Sequence, residues 1–84
     1  VKCGPELEFY CFAESKESLN EKQFKGIKPF TPGMFGYSVL RTGQHSDLYH
    51  ALYDECKSFG VHIEGLHTET GPGVLETAIQ YTNA

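Results

Sequence analysis

Glu6 and Glu8 are the first residues of this 84-residue chain whose type and spacing could do chemistry. On an extended strand, residues two apart point to the same side. Their carboxylates would share one face, with Cα atoms roughly 6.8 Å apart from about 3.4 Å of rise per residue. Flanked by Leu7 and Phe9, two like charges repel each other and resist burial unless a positive charge neutralises them. A hard divalent cation with oxygen ligands does this, and the separation lets each glutamate serve a different ion. The plainer alternative is the wet face of an edge strand. Glu64, Glu69 and Glu76 add weight to the metal reading. Gly71-Pro72-Gly73 makes a tight reversal, so Glu69 before it and Glu76 after it can approach one another. Glycine also lets backbone come close to a ligand, which makes Gly71 and Gly73 candidate substrate contacts. His67 shares the side of Glu69 if the segment is extended. A hydrogen-bonded, half-buried histidine and an ordinary turn are the alternatives at these positions.

These residues need elements to hold them. Residues 6–12 alternate, with Leu7, Phe9 and Cys11 on one side and Glu6, Glu8 and Tyr10 on the other, which predicts a strand started by Gly4-Pro5. Residues 13–45 read as a loop: first a polar stretch with at most a helical turn, then Pro29 to Gly36, whose prolines and glycines break regular structure. Tyr37 to Leu40 reads as a short extended piece. A helix is predicted over 46–59, with Ser46 as N-cap, Asp47 in the first turn and Gly60 just beyond the end. Its apolar stripe is Leu48, Ala51, Leu52, Cys56 and Phe59, leaving Tyr49 outside. The period then falls to two, predicting strands over 61–65 and 74–81. This order predicts an α+β fold, a small and mainly antiparallel sheet covered by one well-formed helix.

Seven Lys plus Arg against eleven Asp plus Glu give a net charge of −4, which argues against a nucleic-acid partner. No apolar run is long enough to span a bilayer of about 30 Å, so no membrane partner is expected. Cys3, Cys11 and Cys56 cannot all pair and form no CxxC, and they read as reduced thiols. The charge and the absence of a secretory leader point to the cytoplasm, with an organelle matrix as the alternative. A chain that opens on Val1 and has Met34 as its one methionine reads as a piece of something larger.

Gly4-Pro5-Glu6-Leu7-Glu8-Phe9 resembles the strand of the glutamine synthetase superfamily that carries a Glu-x-Glu before an aromatic. His67-Thr68-Glu69 through Gly71-Pro72-Gly73-Val74-Leu75-Glu76 resembles that family's His-x-Glu…Pro-Gly-x-x-Glu stretch, and Gly36-Tyr37 looks like its entry into the helix. Two motifs in the same order are far more specific than either alone. The resemblance implies that residues 1–84 form part of a glutamine-synthetase-like catalytic domain. Glu8, Glu69 and Glu76 would match the three carboxylates of one metal. Glu6 would match one ligand of a second metal beside the ATP phosphates. Glu64 would match an acidic residue near the nucleotide, and His67 a histidine close to the phosphoryl-transfer region, where it would contact substrate. The implied cofactors are ATP and Mg²⁺ or Mn²⁺, two ions per complete site. The implied reaction joins glutamate to ammonia or another amine through a γ-glutamyl phosphate, in a homo-oligomer.

The chain departs from the family pattern where Thr68 stands in place of a second histidine and Val74 in place of a glutamine. The resemblance also implies ligands and arginines outside these residues, so the 84 residues alone are expected to be inactive and poorly folded. A non-catalytic relative that keeps the fold is the alternative function. A Ca²⁺-binding loop fits less well, because such loops cluster Asp and Asn, and the only aspartates here are Asp47 and Asp54.

Overall fold

The centre of the fold is a strand flanked on both sides, β4 (Val74–Ile79), in a three-stranded antiparallel sheet of order β2-β4-β3. The computed structural model describes residues 1–84. β2 spans Glu6–Tyr10 and β3 spans Ile63–Thr68. The terminal pieces β1 (Lys2–Cys3) and β5 (Thr82–Asn83) pair as a separate two-stranded ribbon. The architecture is α+β as expected; β2 and β4 stop two residues short of the predicted 6–12 and 74–81, whereas β3 starts two residues later than the predicted 61–65 and runs on to Thr68.

Register decides which side chains meet. Glu8 pairs with Glu76, and Glu76 with His67 on its other side. Paired residues share a face, so one side of the sheet carries Glu6, Glu8 and Tyr10, then Val74, Glu76 and Ala78, then Gly65 and His67. The opposite side carries Leu7, Phe9, Leu75, Thr77, Leu66 and Thr68. A bulge between Ile63 and Gly65 sets Glu64 outside this alternation.

Residues 13–45, expected to be a loop, contain two short helices, α1 (Lys16–Lys22) and α2 (Val39–Gln44). Each starts at a serine whose side chain accepts from the first turn: Ser15 in a capping box with Ser18, and Ser38 from the Arg41 N–H. The extended piece predicted over Tyr37–Leu40 is therefore corrected. Ser38 caps a helix, a signal masked by the glycine- and proline-rich residues before it.

α3 (Ser46–Ser58) is the predicted helix, but its N-cap is His45, which makes no side-chain cap bond. α2 runs almost directly into α3, and the His45 carbonyl accepts from Leu48 and Tyr49. The C-terminus ends as the sequence indicates. Gly60 takes φ 84°, its N–H donates to Lys57 O, and Val61 N–H donates to Cys56 O, which is the Schellman arrangement. The buried stripe is shifted from the expected one. Tyr49 is buried, while Ala51 and Phe59 are exposed. α3 packs on both β3 and α2, so the face turned inward is not its most apolar one.

Leu75 is fully buried at 0% exposure, yet Leu7 on the same sheet face is 57% exposed. The helices cover the β3 side and leave the β2 side open. The accessible surface is 6130 Å², against about 5,000 Å² for a self-contained domain of this mass. The radius of gyration is 14.6 Å, against about 12 Å for a chain of this length. Phe24, Met34, Phe35, Val39, Leu40 and Phe59 stay exposed. No helix is long and apolar enough to cross a membrane.

Candidate functional site

The acidic residues converge because the hairpin joining β3 to β4 folds them back onto one sheet face. Val74 N–H donates to Gly71 O and Glu69 N–H to Val74 O, closing the reversal over Gly71-Pro72-Gly73. Glu69 and Glu76 are brought together at its base, with His67 beside them. One ligand atom from each of His67, Glu69 and Glu76 lies within 4.8 Å of the others. His67 Nδ1 is 3.6 Å from Glu69 Oε1, and His67 Nε2 is 3.8 Å from Glu76 Oε2. β2 supplies the far wall. Glu8, Tyr10, Glu69, Thr70, Gly71 and Val74 line an open cleft of about 260 Å³.

The electrostatics show what this face lacks. Glu76 is 8% exposed. Its hydrogen bond with Glu69, its burial and the nearby Glu6 push its carboxyl up to about 7. Glu69 is held below the usual range, first by the nearby Tyr37 hydroxyl, then by Glu76 and by the Thr70 N–H at 3.2 Å. The two carboxylates are thus pushed in opposite directions, Glu76 up and Glu69 down, with no lysine or arginine beside them. No lysine or arginine pairs with Glu6, Glu8, Glu69 or Glu76; the one such pair in the structure joins Lys22 to Glu14 on the far segment. An all-oxygen anionic donor set with one adjoining imidazole suits a hard divalent cation.

The expected residues fall into two groups. Glu6, Glu8, Glu69, Glu76 and His67 share the face, and Gly71 lines the cleft. Glu64 is exposed at the β3 bulge and lines no part of the cleft. Gly73 is buried, and both its backbone groups are occupied internally: its N–H donates to Thr31 Oγ1 at 3.2 Å and its carbonyl accepts from Cys11 N–H at 2.8 Å. Two residues of the site were not among the expected ones. Tyr37 stacks on His67 with ring centroids 4.5 Å apart, and the Glu69 carboxylate opposite pushes its phenol up. Tyr10 lines the cleft, which the alternation of β2 would have shown once Glu8 was placed there.

The family profile described as "Glutamine synthetase, catalytic domain" matches residues 1–84. The chain is 51% identical over 81 residues to the type-1 glutamine synthetase 2 of Dictyostelium discoideum, covering 96% of this chain and 15% of that protein. It is 32% identical over 84 residues to a gamma-glutamylethanolamide synthetase of Streptomyces coelicolor, covering 100% of this chain and 18% of the relative. It is 30% identical over 79 residues to a glutamate–isopropylamine ligase of a Pseudomonas species, covering 94% of this chain and 17% of the relative. The chain thus spans less than a fifth of the length of the curated relatives it matches. No solved structure matches it significantly.

Proposed function

Because the chain belongs to the glutamine synthetase catalytic-domain family, we propose that it forms part of an ATP-dependent carbon–nitrogen ligase. The reaction joins the side-chain carboxylate of glutamate to ammonia or a small amine by way of a γ-glutamyl phosphate. One observation carries the reading: Glu6 and Glu8 from β2, Glu76 from β4 and Glu69 from the turn between β3 and β4 gather on one sheet face with no lysine or arginine to balance them. The two ligases of glutamate with amines among its relatives support an amine as acceptor.

Glu8, Glu69 and Glu76 would hold one Mg²⁺ or Mn²⁺, and Glu6 would contribute to a second, with its remaining ligands outside these residues. When bound, two such ions neutralise charge on the transferring phosphoryl group and align donor with acceptor. The protein's own groups prepare the site. His67 stands beside both Glu69 and Glu76 and stacks on the Tyr37 ring, and Glu76, held up at about 7, must lose its proton to take an ion. Glu64 is proposed as a nucleotide-side residue. The uncovered apolar surface supports burial against the rest of a longer protein and assembly as a homo-oligomer.

Calorimetric titration of the full-length protein with Mn²⁺ and ATP tests the proposal. Mn²⁺ should bind, ATP should bind more tightly in its presence, and Glu8→Gln or Glu69→Gln should abolish the Mn²⁺ heat. A wild-type protein that takes up neither would end the reading.

A further inference from the structure

Tyr37 sits at φ 58°, a left-handed conformation that a tyrosine keeps only when its surroundings hold it there. The holding group is Thr68. Its carbonyl accepts from the Tyr37 N–H at 2.6 Å. Its hydroxyl accepts from the Ser38 N–H at 2.9 Å and donates to Phe35 O at 3.0 Å. The side chain is buried, with the residue 2% exposed, so neither bond has water as a ready substitute. Thr68 is in an edge strand, and the Phe35–Ser38 turn covers that edge. By strand alternation Thr68 points away from the face that bears His67. It therefore touches no candidate ligand itself. One hydroxyl oxygen can accept and donate at once, whereas a single imidazole nitrogen does only one. This gives a chemical reason for threonine where the resemblance leads one to expect histidine.

We propose that Thr68 is a positioning residue: its hydroxyl clamps the Phe35–Ser38 turn to β3 and so sets the Tyr37 ring on His67. The functional half of the inference rests on the ligase reading above; the clamp itself does not.

The test uses the full-length protein with Thr68→Val, which keeps the shape and removes the hydroxyl, and Thr68→Ser, which restores it. With ATP, glutamate and ammonium or isopropylamine, Thr68→Val lowers kcat by about tenfold, the order expected for losing buried hydrogen bonds. KM for ATP stays within about twofold, because the clamp holds Tyr37 and touches no phosphate-side group. Thr68→Ser returns kcat to within about threefold of wild type. In a Tyr37→Ala background Thr68→Val adds little, because the ring that the clamp sets on His67 is already gone. Equal impairment by Val and Ser, or full additivity with Tyr37→Ala, overturns the proposal. If wild type shows neither Mn²⁺ binding nor turnover, the ligase reading fails separately. Amide exchange at Ser38 then decides the clamp: about tenfold faster in Thr68→Val supports it, and an unchanged rate overturns it. Should Thr68→Val not fold, Thr68→Ala is read in the same assays against Thr68→Ser.

Discussion

Replacing Gly73 by alanine should be among the most damaging single-methyl changes in the chain. Gly73 has φ 74°, and a Cβ added there would clash with Cys11 O and lie 3.2 Å from Phe30 N and 3.4 Å from Pro29 Cβ. The left-handed backbone alone costs a non-glycine residue about 1–2 kcal/mol. The contact with Cys11 O is with backbone, which cannot swing aside as a side chain would. Relieving it breaks the bonds at 2.8 Å between Cys11 N–H and Gly73 O and at 2.9 Å between Phe30 N–H and Cys11 O. Each costs about 1 kcal/mol or more when its groups stay buried. The sum is about 3–4 kcal/mol, a large share of a typical stability of about 5–15 kcal/mol. Gly26→Ala is the control, because Gly26 has φ 57° but nothing within 4 Å of an added Cβ. It should show the backbone strain alone, about 1 kcal/mol. Urea unfolding of both full-length variants, followed by circular dichroism, gives the difference. Because the same turn sets Glu69 against Glu76 and Glu8, Mn²⁺ affinity should fall in Gly73→Ala and hold in Gly26→Ala. If Gly73→Ala is no worse than Gly26→Ala, the close approach of the turn to β2 is wrong.

Further outcomes follow from the charges and the packing. Glu76 is raised from the usual carboxylate range to about 7. Its protonation thus favours the folded, metal-free state: that contribution is complete below about pH 4.5 and is lost as pH rises through about 7. Glu76→Gln should therefore raise the metal-free melting temperature at pH 8 more than at pH 5, while abolishing Mn²⁺ binding; equal shifts at both pH values would refute this. Glu14 is held down at about 2 by Lys22, then Ser18, then the Lys28 N–H, so its contribution is present above about pH 4.5 and is lost as pH falls toward 2. Glu14→Gln should speed amide exchange in residues 15–28 at pH 7, with little change at pH 2. The Tyr49 hydroxyl is buried without a partner, so Tyr49→Phe should be neutral or stabilise by about 1 kcal/mol in a urea titration. The 84-residue segment expressed alone should aggregate or melt without cooperativity, given its uncovered apolar surface. A cooperative melt from a monomer would contradict that.

The sequence determined what short-range rules can carry. Period-two alternation placed Glu6 and Glu8 on one face, Gly71-Pro72-Gly73 turned Glu69 back toward Glu76, and Gly60 ended α3. Each of these depends on residues close together in the chain. The tertiary structure decided what depends on contacts between distant segments. The register that sets Glu8 beside Glu76 beside His67 is one such result. The helical start after Ser38 and the burial of Tyr49 in place of Ala51 and Phe59 are others. So is the seating of Tyr37 on His67, from a turn that Thr68 hydrogen-bonds to β3. A side chain's neighbours across a sheet edge are chosen by packing among elements far apart in sequence, and no local pattern records that choice.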